Sequence, residues 1–201
     1  MRIISGINRG RILAAPEGDT TRPTADRVRQ ALFDALTHAA WAGRDRIIGA
    51  RVLDGFAGTG ALGLEALSRG ALHATFLETS RPALQALRSN IAVCKAEGAT
   101  TVIPGDATKP PRASAPVSLI FLDPPYAKLA PVLAPGAEPE PPEAGIVPRT
   151  VAALTAAGWI APGALLVAET ARAAEAPVLP GWTLVDERGH GVAMLRVWEG
   201  P

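Results

Sequence analysis

Cysteine occurs once in these 201 residues, at Cys94, so no internal disulfide can form and no Cys-based zinc site can be assembled. Histidine is scarce as well. His38, His73 and His190 are scattered along the chain, which argues against a His-rich metal site, and no metal is expected. No apolar run approaches the ~18 residues of a membrane span. The first 20 residues carry arginines and lack the long apolar core of a signal peptide. These absences lead to the expectation of a soluble, cytoplasmic protein with no membrane partner. An excess of one charge is also missing: 20 Lys and Arg face 19 Asp and Glu, for a net charge of +1. Whole-chain charge therefore gives no argument for nucleic acid.

The distribution of charge does. Between Met1 and Gln30 lie Arg2, Arg9, Arg11, Arg22, Arg27 and Arg29 against only Glu17, Asp19 and Asp26. The chain length suits one domain with a real core. Within it, residues 1–40 read as an extension. Arg2–Ser5 and Arg11–Leu13 flank a Gly/Asn turn as a small hairpin. Thr24 then caps a helix over Ala25–Thr37, with Val28, Leu32 and Leu36 on its apolar face.

Residues 41–201 read as the main domain, in strand–helix alternation. Strands are expected at Arg51–Asp54, Ala74–Glu78, Thr101–Pro104, Val117–Leu122 and Ala164–Glu169. Helices are expected at Ala61–Arg69, Pro82–Glu97 and Arg149–Ala157. A closing hairpin pairs Thr183–Arg188 with Ala193–Trp198. The sum is an α/β, Rossmann-like doubly wound sheet of seven strands, mostly parallel, with an antiparallel C-terminal hairpin. One stretch resists this pattern: residues 128–148 hold six prolines and three glutamates, a long loop that is either a lid or disordered.

Gly58, Gly60 and Gly63 match G-x-G-x-x-G between a strand and a helix, with Glu78 about twenty residues on, the fingerprint of a dinucleotide site. Asp54 argues against a dinucleotide, because at the tip of the first strand it would face a pyrophosphate. S-adenosylmethionine has no pyrophosphate, and its ammonium and sulfonium welcome an acid there. Glu78 is placed for the ribose hydroxyls, and Asp106, beside Ala107, for the adenine amine. The second argument against a dinucleotide is Asp123-Pro124-Pro125-Tyr126, which closes the apolar run Val117–Leu122. Asp123 and the Pro124 carbonyl can each accept an N–H of a planar exocyclic amine, while Tyr126 stacks on the base. Such positioning falls within the roughly 7–11 kcal/mol ceiling for orientation effects. The tetrapeptide serves guanine N2 and adenine N6 equally.

DGFAGTGALGLEALSRGA (Asp54–Ala71), FLDPPY (Phe121–Tyr126) and RPTADRVRQALF (Arg22–Phe33) resemble the RsmD-type 16S ribosomal RNA guanine-N2 methyltransferases. RIISGINRGRIL at the start and GWTLVDERGHGVAMLRVW at the end are similar to that family too, so the resemblance covers nearly the whole chain. It implies methyl transfer from S-adenosylmethionine to a guanine of the position-966 type in 16S rRNA, within an assembling or assembled small subunit. It implies that Asp54, Gly58, Gly60, Glu78, Asp106 and the adjoining Ala107 bind the cofactor. Asp123, Pro124, Pro125 and Tyr126 would hold the guanine, and Thr24, Arg22 and Arg27 would lie near the cofactor's methionine end or the RNA. Arg9 and Arg11 would meet phosphates, which position the complex without reading sequence. Nothing in the sequence demands a dimer, so a monomer is expected. The competing readings are an adenine-N6 methyltransferase on DNA or RNA, a small-molecule or protein N-methyltransferase, and a catalytically silent RNA-binding assembly factor.

Overall fold

The computed structural model describes residues 1–15, 23–42, 45–124 and 145–201, with side chains of the first helix from Asp26 onward. Seven strands form one sheet: β1 (Arg51–Gly55), β2 (His73–Glu78), β3 (Thr100–Pro104), β4 (Val117–Leu122), β5 (Ile160–Ala171), β6 (Thr183–His190) and β7 (Ala193–Glu199). Their order is β3-β2-β1-β4-β5-β7-β6. β1 to β5 pair in parallel, whereas β7 runs antiparallel between β5 and β6. The chain therefore reverses direction across the sheet between β1 and β4, the switch point where such folds open a crevice at the strand ends. The expected architecture is observed.

The central strands are largely apolar because both faces are covered. Val52, Phe76, Leu119, Phe121, Leu165 and Val167 pack on one face with residues of α1 (Pro23–His38), α2 (Ala61–Ser68) and α3 (Arg81–Cys94). Leu53, Leu77, Ile120, Leu122, Leu166 and Ala168 point the other way, against α4 (Ile146–Ala156), Trp159 and Trp198. The alternation along β4 and β5 is the two-residue period of a strand. Each fully buried large apolar side chain contributes roughly 1.5–3 kcal/mol.

Three expectations are corrected. α1 begins at Pro23, so Thr24 is its second residue rather than its cap; proline's fixed φ suits a first turn. Arg29, counted in the N-terminal arginine cluster, is only 5% exposed and so adds no charge to the surface. α4 begins at Ile146, which puts Pro148 in its first turn and not in the preceding loop. There the missing N–H costs nothing. The expected N-terminal hairpin is present in reduced form, with one bridge between Arg2 and Ile12 and backbone bonds joining Ile3 to Arg11 and Gly10. Residues 125–144, including most of the 128–148 loop, lie outside the described residues. Among the described residues no helix is long and apolar enough to cross a membrane.

Candidate functional site

The turn after β1 is built by its neighbours. Glu78, ending β2, accepts the Gly58 N–H at 2.7 Å through one carboxylate oxygen and the Thr79 and Ser80 N–H groups at 2.8 and 2.7 Å through the other. Ala57 donates to the Leu77 carbonyl. Asn90 of α3 donates to the Thr59 carbonyl and binds both backbone groups of Ala14. Phe56 adopts a left-handed φ of 62°, a strained conformation for a bulky residue of the sort concentrated at functional turns. At Gly63 a Cβ would come 2.4 Å from the Phe76 ring. Only glycine lets α2 start this close to β2, which explains the third glycine of the motif.

Asp54 is buried at the end of β1 and accepts the Gly63 N–H at 2.9 Å. Burial pushes its pKa up to about 8; the nearby charges of Asp123 and Glu78 add to the rise, and the Gly63 bond opposes it. Across the switch point Gly55 pairs with Leu122, so Asp123 follows at the adjoining strand end. Asp123 is open to the cleft yet enclosed by protein on its other sides, and that enclosure raises its pKa to about 6. Both acids line a cleft of about 690 Å³ with Phe56, Gly58, Leu122 and Glu169. Glu169, near the end of β5, is pushed to about 7 by burial and by Asp123. Nothing in the local sequence marked it.

The cleft brings Asp54, Gly58 and Asp123 together. Gly60 caps α2 in a left-handed conformation, with φ 77°. Glu78 and Asp106 stand at the ends of β2 and β3 beyond the cleft lining, and Asp106 accepts the Thr108 N–H at 2.8 Å. Ala107 is buried. Pro124 is described and buried. Pro125, Tyr126, Arg22 and the side chain of Thr24 lie outside the described residues. Among the described residues no group of three or more His, Cys, Asp or Glu side chains is placed to hold a metal ion.

A second locus joins the N-terminal segment to α2. Glu65, fully buried, accepts the Ile4 and Ser5 N–H groups at 2.7 and 3.0 Å and Arg69 Nε at 2.8 Å. Arg29 Nε faces its other side at 3.8 Å, while Arg29 Nη2 pairs with Asp26 at 3.0 Å. Ser68 Oγ accepts the Asn8 N–H and donates to the Ser5 carbonyl. Arg69 also lies 4.9 Å from the Phe33 ring centroid, a cation–π contact. At Gly6 (φ 79°) a Cβ would overlap the Ser68 carbonyl at 1.7 Å. Glu65, Ser68 and Arg69 are thus the working residues of the GLEALSRG segment. Their spacing of three and four puts them on one helix face, although the sequence alone assigns them no role beyond the family motif. Docked this way, the segment sets its Arg2 and Arg9 with Arg27 of α1 around a cavity of about 500 Å³. Arg11 instead reaches α3 and donates to the Val93 carbonyl.

A parallel sheet reversing at the β1–β4 switch, with a glycine turn and an acidic strand end on one crevice, defines a Rossmann-like methyltransferase fold. The family model described as conserved hypothetical protein 95 matches residues 1–134. Ribosomal RNA small subunit methyltransferase D of Escherichia coli K12 is 35% identical over 99% of this chain and 89% of its own length. The Haemophilus influenzae protein of the same name is 31% identical over 99% and 93%. The solved structure of Escherichia coli yhhF covers all of this chain and 97% of that one at 33% identity, with a TM-score of 0.78. The chain belongs to the RsmD-type family of ribosomal RNA methyltransferases.

Proposed function

We propose that this enzyme methylates the exocyclic N2 amine of a guanine in 16S rRNA, using S-adenosylmethionine, on the assembling or assembled small subunit. The carrying observation is that the glycine turn and the first residue of Asp123-Pro124-Pro125-Tyr126 open onto one cleft across the β1–β4 switch. The donor set fits a cationic cofactor. Asp54 is a buried acid whose ionised form is penalised until a positive group arrives. Asp54, Gly58 and Gly60 would hold the methionine end, and Glu78, Asp106 and Ala107 the nucleoside. When bound, the cofactor supplies an activated methyl group.

Asp123 and the Pro124 carbonyl would each accept one N2–H, fixing an amine that is otherwise planar and delocalised, and Tyr126 would cover the base. The extension over residues 1–40 would face RNA and the unit over 41–201 would carry the chemistry. Arg9 and Arg11 would meet phosphates, and Arg9 and Arg27 are exposed; Arg22, Thr24 and Arg27 would lie near the cofactor's methionine end or the incoming RNA.

Small subunits from a strain lacking the enzyme, incubated with labelled S-adenosylmethionine and digested to nucleosides, test the reading. Label is expected in N2-methylguanosine. Label only in N6-methyladenosine would sink it, and subunit binding without label would favour an assembly factor. Asp123→Ala should reduce transfer at least a hundredfold with cofactor affinity preserved, an effect that matches one lost positioning contact to a reacting centre at about 2.7–4 kcal/mol. Transfer within a few-fold of wild type would remove Asp123 from the site.

A further inference from the structure

The sheet register places a second carboxylate on the substrate side of the cleft. β4 and β5 are parallel neighbours with Leu122 paired to Ala168. The next residues, Asp123 and Glu169, therefore lie side by side, with backbones about 4.8 Å apart across the ladder. Both line the cleft. β5 lies on the far side of the switch point from the glycine turn, β2 and β3, so Glu169 stands where the target would enter rather than where the cofactor would sit. Among the described residues no hydrogen-bond donor meets its carboxylate. A half-buried acid with a carboxylate for a neighbour and no donor destabilises the fold unless a ligand brings donors.

We propose that Glu169 reads the target base, accepting the N1–H of the guanine whose N2 amine Asp123 holds. The inference rests on the guanine-N2 reading of the site. On guanine's Watson–Crick edge N1–H and N2–H₂ are adjacent donors, which match acceptors at two neighbouring strand ends. Adenine presents N6–H₂ beside the N1 lone pair. With its amine at Asp123, that lone pair would face the Glu169 carboxylate. A site built to hydrogen-bond a group rejects the analogue lacking it far more strongly than shape alone can. The tetrapeptide suits either amine, and Glu169 breaks the tie.

The test uses the full-length protein and reconstituted small subunits whose 16S RNA carries guanine, 2,6-diaminopurine or adenine at the nucleotide the wild type labels. 2,6-Diaminopurine keeps the N2 amine but replaces N1–H by a lone pair. Wild type should methylate guanine roughly ten- to hundredfold faster than 2,6-diaminopurine. It should show the same order of affinities with S-adenosylhomocysteine, which has no methyl to give. Glu169→Gln, whose amide both accepts and donates, should bring the two bases within a few-fold of each other while binding S-adenosylhomocysteine as wild type does. Glu169→Asp, retaining the acceptor on a shorter arm, should keep the guanine preference at a lower rate, which a purely structural role does not predict. An unchanged guanine-to-diaminopurine ratio in Glu169→Gln, or equal use of both bases by wild type, overturns the inference and leaves N2 methylation standing. Absence of any N2-methylguanosine from wild type would instead overturn the reading beneath it.

Discussion

Glu65 in α2 and Asp54 near the end of β1 are both buried carboxylates, eleven positions apart, with opposite surroundings. Glu65 is met by two backbone N–H groups and the Arg69 guanidinium, with Arg29 behind. Asp54 receives one backbone N–H from the described residues and faces the charges of Asp123 and Glu78. Burial alone therefore does not assign a role. An acid whose lone pairs are filled by protein donors holds structure together, whereas an acid left beside like charges is one that a bound cation would stabilise. In this chain the first anchors the N-terminal segment and the second floors the cleft.

The largest effect is expected at Glu65. Glu65→Ala leaves two N–H groups and a buried Arg29 without their acceptor, and losing one partner of a buried charge pair costs about 3–5 kcal/mol. Urea unfolding should show that loss, together with weaker subunit binding as the hairpin undocks. A loss under about 1 kcal/mol would mean that water or a neighbour replaces Glu65, and the anchoring role would fail. Asp54→Asn keeps shape and removes the waiting charge. S-adenosylhomocysteine should bind roughly ten- to a hundredfold more weakly, the range for a lost hydrogen bond to a charged group, with stability undiminished. Equal affinity would show that the ammonium sits elsewhere.

The same contrast has a pH signature. Folding raises the pKa of Asp123 to about 6, of Glu169 to about 7 and of Asp54 to about 8, whereas unfolded carboxyls titrate near about 4. The folded chain thus holds protons that the unfolded chain has shed. Their stabilising contribution is full below pH ~4 and is lost as pH rises through the folded values. The ligand-free protein should melt progressively lower from pH 5 to pH 8.5, and Asp54→Asn should flatten the upper part of that decline. A wild-type midpoint that rose across this window relative to Asp54→Asn would contradict the charge assignment.

What could be read from the sequence was whatever recurs at short range. The apolar run Val117–Leu122, the glycine turn and the strand-end acids are local patterns, and each strand appeared where expected, to within a few residues. The partners of those patterns are set by register and docking. Glu169 lies 46 positions from Asp123, and only the pairing of Leu122 with Ala168 makes them neighbours. Arg29 looks like the other N-terminal arginines until Asp26 and Glu65 close around it. Phe33 packs against Phe121 at 5.7 Å, tying α1 to the strand that ends in Asp123, and no helical period in α1 announces that partner. GLEALSRG stood out as a family signature, but its physical content became visible only when Ile4, Ser5 and Asn8 were found on it.

The smallest expected effect lies at Ser68, on the anchoring side. Ser68 Oγ accepts the Asn8 N–H at 3.0 Å and donates to the Ser5 carbonyl at 2.5 Å, so Ser68→Ala strands a buried donor without creating a large void. The expected cost is about 1 kcal/mol, the net worth of such a bond. It should appear as faster amide exchange confined to residues 4–13, with cofactor affinity unchanged because the Asp54 side of the turn is untouched. Combined with Glu65→Ala, the loss should be less than additive, since once Ile4 and Ser5 are released the hairpin no longer holds Asn8 against Ser68. Strict additivity would mean that Glu65 and Ser68 grip the segment independently, and the docking would then be two separate contacts and not one cooperative clasp.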